Sequence, residues 1–194
     1  MLSVQNEIIN EILAGISPLV DLYMVKSPEF TERVILWLKD SEYKLSKTRL
    51  PEGSRLASMR SRILSAAEKG ENEQGDYSPR KAKRLRNFEA SGCLEEVEQV
   101  LSEVRVSNIN RLEMFKAKLE EAITAASLLG LIPETEKTTE SELKFIWKAM
   151  MENQSTKPTA IYISSSLSSI DRLFILKELV INLKGTILEG QGLG

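Results

Sequence analysis

Histidine is absent from this chain of 194 residues, and cysteine occurs once, at Cys93. The absence of imidazole excludes the Ser-His and Cys-His pairs of nucleophilic catalysis and the Glu-x-x-His ligand pattern of di-iron helical bundles. Zinc sites are excluded with them, because the remaining strong ligands are carboxylates, which suit magnesium or calcium. No sequence motif points to such an ion. We therefore expect a protein that is not an enzyme and that binds no metal or cofactor.

A single cysteine also excludes an intramolecular disulfide, and the opening MLSVQNEIIN has no basic region before an apolar run. These features predict a chain without a secretory signal, located in the cytoplasm. The longest uninterrupted apolar runs, such as residues 34–38, are far shorter than the roughly 20 residues that a bilayer requires. We expect no membrane association.

Helical spacing of apolar residues runs through most of the chain and predicts a mainly α fold, either an irregular helical bundle or a helical hairpin. The longest periodic stretch is residues 94–129, with apolar positions at Leu94, Val97, Leu101, Val104, Leu112, Phe115, Leu119, Ala122 and Ala126. The step from Val104 to Leu112 is eight residues rather than seven, and weak helix formers cluster at Val106-Ser107-Asn108. This favours a break or a strong bend. A continuous helix here would instead indicate an elongated hairpin or an intermolecular coiled coil.

Shorter helices are delimited by local signals. Gly15 is expected to end the first, and Ser17-Pro18 and Ser27-Pro28 each place a hydroxyl cap before a proline in the first turn. Ser54 is expected to cap the following helix, and the sequence of residues 139–142, TESE, fits a capping box. The single strand signal is residues 159–163, TAIYI, a short β-rich segment with no visible pairing partner. It predicts a strand, an extended edge or half of a symmetric pair between subunits.

Two regions follow from this pattern. Residues 1–152 are predicted to form a helical domain with an exposed loop near 70–77, where the sequence has two glycines, polar residues and no apolar period. Residues 153–194 are predicted to supply the short strand and a C-terminal helix, packed on the same core.

Charge is unevenly distributed although the net charge is only −2. Residues 33–86 carry fourteen Lys and Arg against seven acids, whereas both flanking regions are acidic. Two groups of cations stand out as candidates for binding phosphate or an acidic partner. The first follows one helix edge, Arg55, Arg60 and Arg62, and the second is Arg80, Lys81, Lys83, Arg84 and Arg86.

The first group has a simple interpretation as a solvated helix edge. If Ser78 caps a helix, the second group of cations lies in the first turns of that helix, at the positive end of its macrodipole. Because this placement is unfavourable for cations, we expect a compensating anion. An internal source is the run of acidic residues that follows the cations, brought back towards them by a turn at Ser91-Gly92; these acids are Glu89, Glu95, Glu96, Glu98 and Glu103. An external source is nucleic-acid phosphate. The internal source or a partner protein is favoured, because only Tyr77 and Phe88 flank the cations and single-strand binders interleave aromatics.

The last helix, residues 170–188, is apolar around most of its circumference, and Asp171, Arg172 and Lys177 are among the few residues that mark an exposed strip. Such a helix is either central to the core or buried on two sides by a second molecule. We therefore expect a non-catalytic interaction or assembly protein, which binds itself or a protein partner through the long central helix and this last one. The residues expected to bind the partner are Leu173, Phe174, Leu176, Val180 and Leu183. The alternative is a nucleic-acid-binding protein that uses the basic region 55–86.

Overall fold

Eight α-helices make up the computed structural model, which describes residues 1–66, 68, 78–133 and 138–191, with side chains described as far as residue 185. The helices are α1 (Leu2–Ala14), α2 (Ile16–Met24), α3 (Phe30–Lys47), α4 (Glu52–Ser65), α5 (Pro79–Leu128), α6 (Glu140–Glu152), α7 (Lys157–Ser166) and α8 (Ser169–Gln191). The prediction of a mainly α fold is confirmed. The loop expected near residues 70–77 lies outside the described residues.

Local signals set several of the helix boundaries. α1 ends before Gly15, and α2 begins directly after it. A Cβ at this position would lie 2.6 Å from the Trp37 Nε1 atom, so a side chain here would require the Trp37 ring to shift. Thr139 caps α6 as the sequence predicts, since its side chain accepts a hydrogen bond from the Glu142 backbone N–H at 3.2 Å. Gly130 ends α5 in the left-handed conformation, with φ of 68°.

The strand predicted for residues 159–163 is wrong, because these residues lie within α7. Pro158 stands in the first turn of α7, where its missing N–H costs nothing. Ala160, Ile163 and Leu167 are buried at helical spacing, while Ile161 and Tyr162 are exposed. Packing of one helical face therefore overrides the β propensity of the segment.

The predicted break near residues 106–108 is also wrong, because α5 is one helix of 50 residues. The turn expected at Ser91-Gly92 is absent for the same reason, since both residues are helical. The step in the apolar pattern has a different cause. Residues before it contribute to one hydrophobic core and residues after it contribute to another.

The chain divides into two compact units, with a division between Ser107 and Asn108. The amino-terminal unit is Val4–Ser107, and its core residues include Ile9, Phe30, Val34, Leu38, Leu56, Met59, Ile63 and Leu101. The carboxy-terminal unit is Met1–Ser3 with Asn108–Gly194. Its core residues include Leu2, Phe115, Leu119, Ile146, Met150, Ile163, Leu176 and Val180. Each core is built from apolar stripes of three or more helices, which is how amphipathic helices become stable in water.

Candidate functional site

A groove in the amino-terminal unit brings cationic and aromatic side chains together. It encloses about 550 Å³ and is lined by Tyr23, Arg80, Lys83, Arg84, Asn87 and Phe88. Five of these residues lie in the first three turns of α5 at spacings of three, four, seven and eight, which places them on one face of the helix. Tyr23 comes from the end of α2. We call this set of six residues the cationic groove.

The cations of the cationic groove differ in their ion pairing from the other basic residues of the same region. Within the described ranges, Arg80, Lys83 and Arg84 form no salt bridge, and all three are exposed. Arg86, although it belongs to the same basic segment, lies outside the groove and pairs with Glu32 of α3 at 2.7 Å. The groove therefore carries positive charge at the amino-terminal end of α5, where the helix macrodipole already favours an anion.

The aromatic rings of the groove are accessible, and that of Tyr23 also contacts the core. Phe88 is 72% exposed and Tyr23 is 45% exposed. Tyr23 contacts Phe30, a fully buried core residue, with 5.1 Å between ring centroids. Asn87 accepts a hydrogen bond from the Thr31 hydroxyl at 2.5 Å, so α5 is fixed to α3 beside the groove. A second cavity, of about 330 Å³, adjoins the groove and shares Tyr23 and Asn87 with it.

The remaining cations predicted as binding residues are used inside the amino-terminal unit. Arg60 pairs with Glu42 at 3.1 Å, Arg55 lies 3.7 Å from Glu96, and Arg62 contacts Glu96 at 2.9 Å and Glu89 at 3.6 Å. The hydrogen bond from Arg62 to Glu96 raises the pKa of that guanidinium. Glu89 and Glu96 are thus internal anions, as the sequence suggests, but they pair with α4 rather than with the basic segment of α5. Lys81 also has an interaction of its own and does not line the groove.

The apolar residues of α8 are mostly internal to the carboxy-terminal unit. Leu176 and Val180 are fully buried, Leu173 and Leu183 are partly buried, and Phe174 is 53% exposed. Of the five residues predicted to bind a partner, Phe174 is therefore the one that presents an accessible surface. Ile170 and Ile181 are exposed as well and lie near it on the same side of the helix.

The sequence predicts that Asp171 lies on the exposed strip of the last helix, and this prediction is wrong. Its side chain is buried and accepts hydrogen bonds from the backbone N–H of Leu2 at 2.8 Å and of Ser3 at 2.9 Å. The hydroxyls of Ser3 and Ser168 also donate to it, at 2.7 and 2.8 Å. Burial acts to raise the pKa of Asp171, but these hydrogen bonds outweigh burial and hold the pKa far below its usual range. Asp171 thereby caps the first turn of α1 and stabilises the start of α8. The pattern Ser168-x-x-Asp171 before an apolar helix was the available signal.

Other kinds of site have no support among the described residues. No group of three Cys, Asp or Glu side chains there is placed to hold a metal ion. Cys93 is buried, and burial raises the pKa of its thiol to about 11. Within the same residues, no helix has the length and apolar content needed to cross a bilayer.

Comparisons with protein-family models, with curated proteins and with solved structures found no match to this chain.

Proposed function

We propose that this chain is a non-catalytic helical interaction protein that recognises an anionic partner through the cationic groove. The observation that carries the proposal is a contrast between two groups of cations. Arg55, Arg60, Arg62 and Arg86 are paired with carboxylates of the same unit. Arg80, Lys83 and Arg84 stand together without such a partner in the described part of the chain.

The contrast supports binding for two reasons. Like charges on one face of α5 repel each other, and the positive end of the helix macrodipole, at the amino-terminal end of α5, repels the same cations. A bound anion removes both sources of repulsion. The exposed rings of Phe88 and Tyr23 add apolar area at the same place, and a surface that combines charge with accessible aromatic rings is typical of recognition sites.

The test is retention on immobilised heparin, a polyanion, with increasing salt. The parent is expected to elute at clearly higher salt than the triple variant R80E/K83E/R84E. A matched control, K118E/K157E/K177E, makes the same change in net charge at three exposed positions of the carboxy-terminal unit. It is expected to elute close to the parent. Equal elution of the parent and the groove variant, with both folded by circular dichroism, would contradict the proposal.

A second candidate function is self-association through the outer face of α8. The supporting observation is the exposure of Ile170, Phe174 and Ile181, at 46%, 53% and 47%. Light scattering on the full chain is expected to give a mass above 21.8 kDa that Phe174→Asp returns to the monomer value. The matched control is Phe145→Asp, which changes an exposed phenylalanine of α6. A monomeric parent at high concentration would exclude this candidate.

A further inference from the structure

We infer that the anion taken by the cationic groove is a single-stranded nucleic acid, whose phosphates contact Arg80, Lys83 and Arg84 while a base stacks on Phe88. This inference rests on the proposed function and specifies the chemical class of the partner. It concerns the amino-terminal unit alone, because all six groove residues belong to it.

The cations form a compact group that can contact neighbouring phosphates of one chain. Arg80, Lys83 and Arg84 lie within about one helical turn on the same face of α5. Two of the three are arginines, whose planar guanidinium groups bind phosphate oxygens in pairs and also stack on bases.

The rings distinguish a polynucleotide from a purely ionic partner. Phe88 is 72% exposed beside three cations, and its ring offers neither a charge nor a hydrogen-bond donor to polyphosphate or to a run of carboxylates. It does offer a flat apolar face on which any base can stack, and such stacking tolerates every base. Tyr23 also lines the groove and offers a second aromatic ring.

Single strands fit this arrangement better than duplexes. Bases of a duplex are already stacked on one another, so their faces are not available to a side chain without unstacking. Unstacked bases of a single strand are available, and cations beside aromatic rings are the combination that single-strand binders use.

The experiment compares three fluorescent probes in anisotropy titrations: a 12-nucleotide oligouridine, a polyphosphate of matched charge and a poly-glutamate peptide. Oligothymidine of the same length serves as the DNA arm. The parent is expected to bind oligouridine or oligothymidine more tightly than the other two probes. Three phosphate contacts predict a slope of about −2 for the logarithm of the binding constant against the logarithm of salt concentration.

Phe88→Ala separates stacking from charge. It is expected to weaken oligonucleotide binding by at least about fivefold and to leave polyphosphate binding unchanged. The matched control, Phe145→Ala, removes another exposed ring, from the carboxy-terminal unit, and is expected to change neither. Arg84→Glu is expected to weaken binding of every polyanion and to make the salt slope shallower.

The outcomes distinguish this inference from the proposed function. If polyphosphate binds as tightly as the oligonucleotides and Phe88→Ala has no effect, the nucleic-acid inference fails while anion recognition stands. Tighter binding of poly-glutamate than of the oligonucleotides also overturns the nucleic-acid inference and indicates an acidic protein partner. If Arg84→Glu changes the binding of no probe, the proposed function fails as well.

Discussion

Replacement of Asp171 by asparagine provides the sharpest test of the packing described for the carboxy-terminal unit. The two side chains have nearly the same shape, so the substitution leaves no cavity. It changes one carboxylate oxygen into an NH2 group, which donates rather than accepts. In the folded protein that group faces donors, because four N–H and O–H groups of Leu2, Ser3 and Ser168 point at the carboxylate.

The expected cost follows from those bonds. Hydrogen bonds to a charged group contribute about 1.5–3 kcal/mol each, and a buried donor left without an acceptor costs about 1–3 kcal/mol. Asparagine keeps one acceptor oxygen, so we expect a net loss of about 3 kcal/mol. For a unit of this size such a loss lowers the melting temperature by roughly 10–20 °C.

Urea unfolding of the full chain measures this effect, with Trp147 as the reporter. Trp147 packs against the core of the carboxy-terminal unit, whereas Trp37 packs in the other unit, so a Trp37→Phe background isolates the signal. Glu121→Gln is the matched control at an exposed position and is expected to change the free energy of unfolding by less than about 0.5 kcal/mol. A similarly small effect for Asp171→Asn would refute the assignment of Asp171 as a buried helix cap.

The same variant carries a prediction about pH. Because the folded protein holds the pKa of Asp171 below its usual range, the unfolded chain takes up a proton first as pH falls. The stabilisation is therefore fully present at neutral pH and is lost below the ordinary aspartate pKa of about 3.9. The gap in the free energy of unfolding between parent and Asp171→Asn is expected to narrow as pH falls from about 6 to about 3. If the difference in the free energy of unfolding instead grew as pH falls over this range, folding would not favour the ionised form of Asp171.

Two further predictions concern the amino-terminal unit. Gly15→Ala is expected to lower the free energy of unfolding by about 1–3 kcal/mol, because its Cβ would meet Trp37. A Cβ at Gly92 would meet nothing within 4 Å, so Gly92→Ala is expected to raise the free energy of unfolding by up to about 1 kcal/mol through better helix propensity. Thermal unfolding of both variants measures these opposite changes. At about pH 8 the buried thiol of Cys93, with its raised pKa, is expected to react with iodoacetamide on the order of a hundredfold more slowly in the folded protein than in urea. Equal rates in the two states would contradict its burial.

Local signals in the sequence predicted the start of α6 but not the starts of α2 and α4, because the expected caps Ser17 and Ser54 lie inside those helices. Thr139 caps α6 because the required hydroxyl and N–H are three residues apart. The prediction of a strand at residues 159–163 is wrong because non-local packing decides the structure of this segment. The β-rich composition of this segment is local, whereas its helical state depends on burial of Ala160 and Ile163 against other helices.

The sequence predicted which cations are candidates for the site but not how they are arranged in space. Arg86 pairs with Glu32, 54 residues away, and Arg62 pairs with Glu96, 34 residues away. The spacing of residues along the sequence does not show which cations form such long-range ion pairs and which do not. The contribution of Tyr23 was hidden for the same reason, because α2 and α5 meet only in the folded unit.

The hydrogen bonds from Leu2 and Ser3 to Asp171 span 169 and 168 residues. On the ribosome, Leu2 and Ser3 can therefore reach their acceptor only after the segment as far as Asp171 has been synthesised. Val4–Ser107, by contrast, contains its complete core in one uninterrupted segment. Co-translational folding is thus expected to start in that segment, whereas the hydrogen bonds from Leu2 and Ser3 to Asp171 form only after α8 has left the exit tunnel.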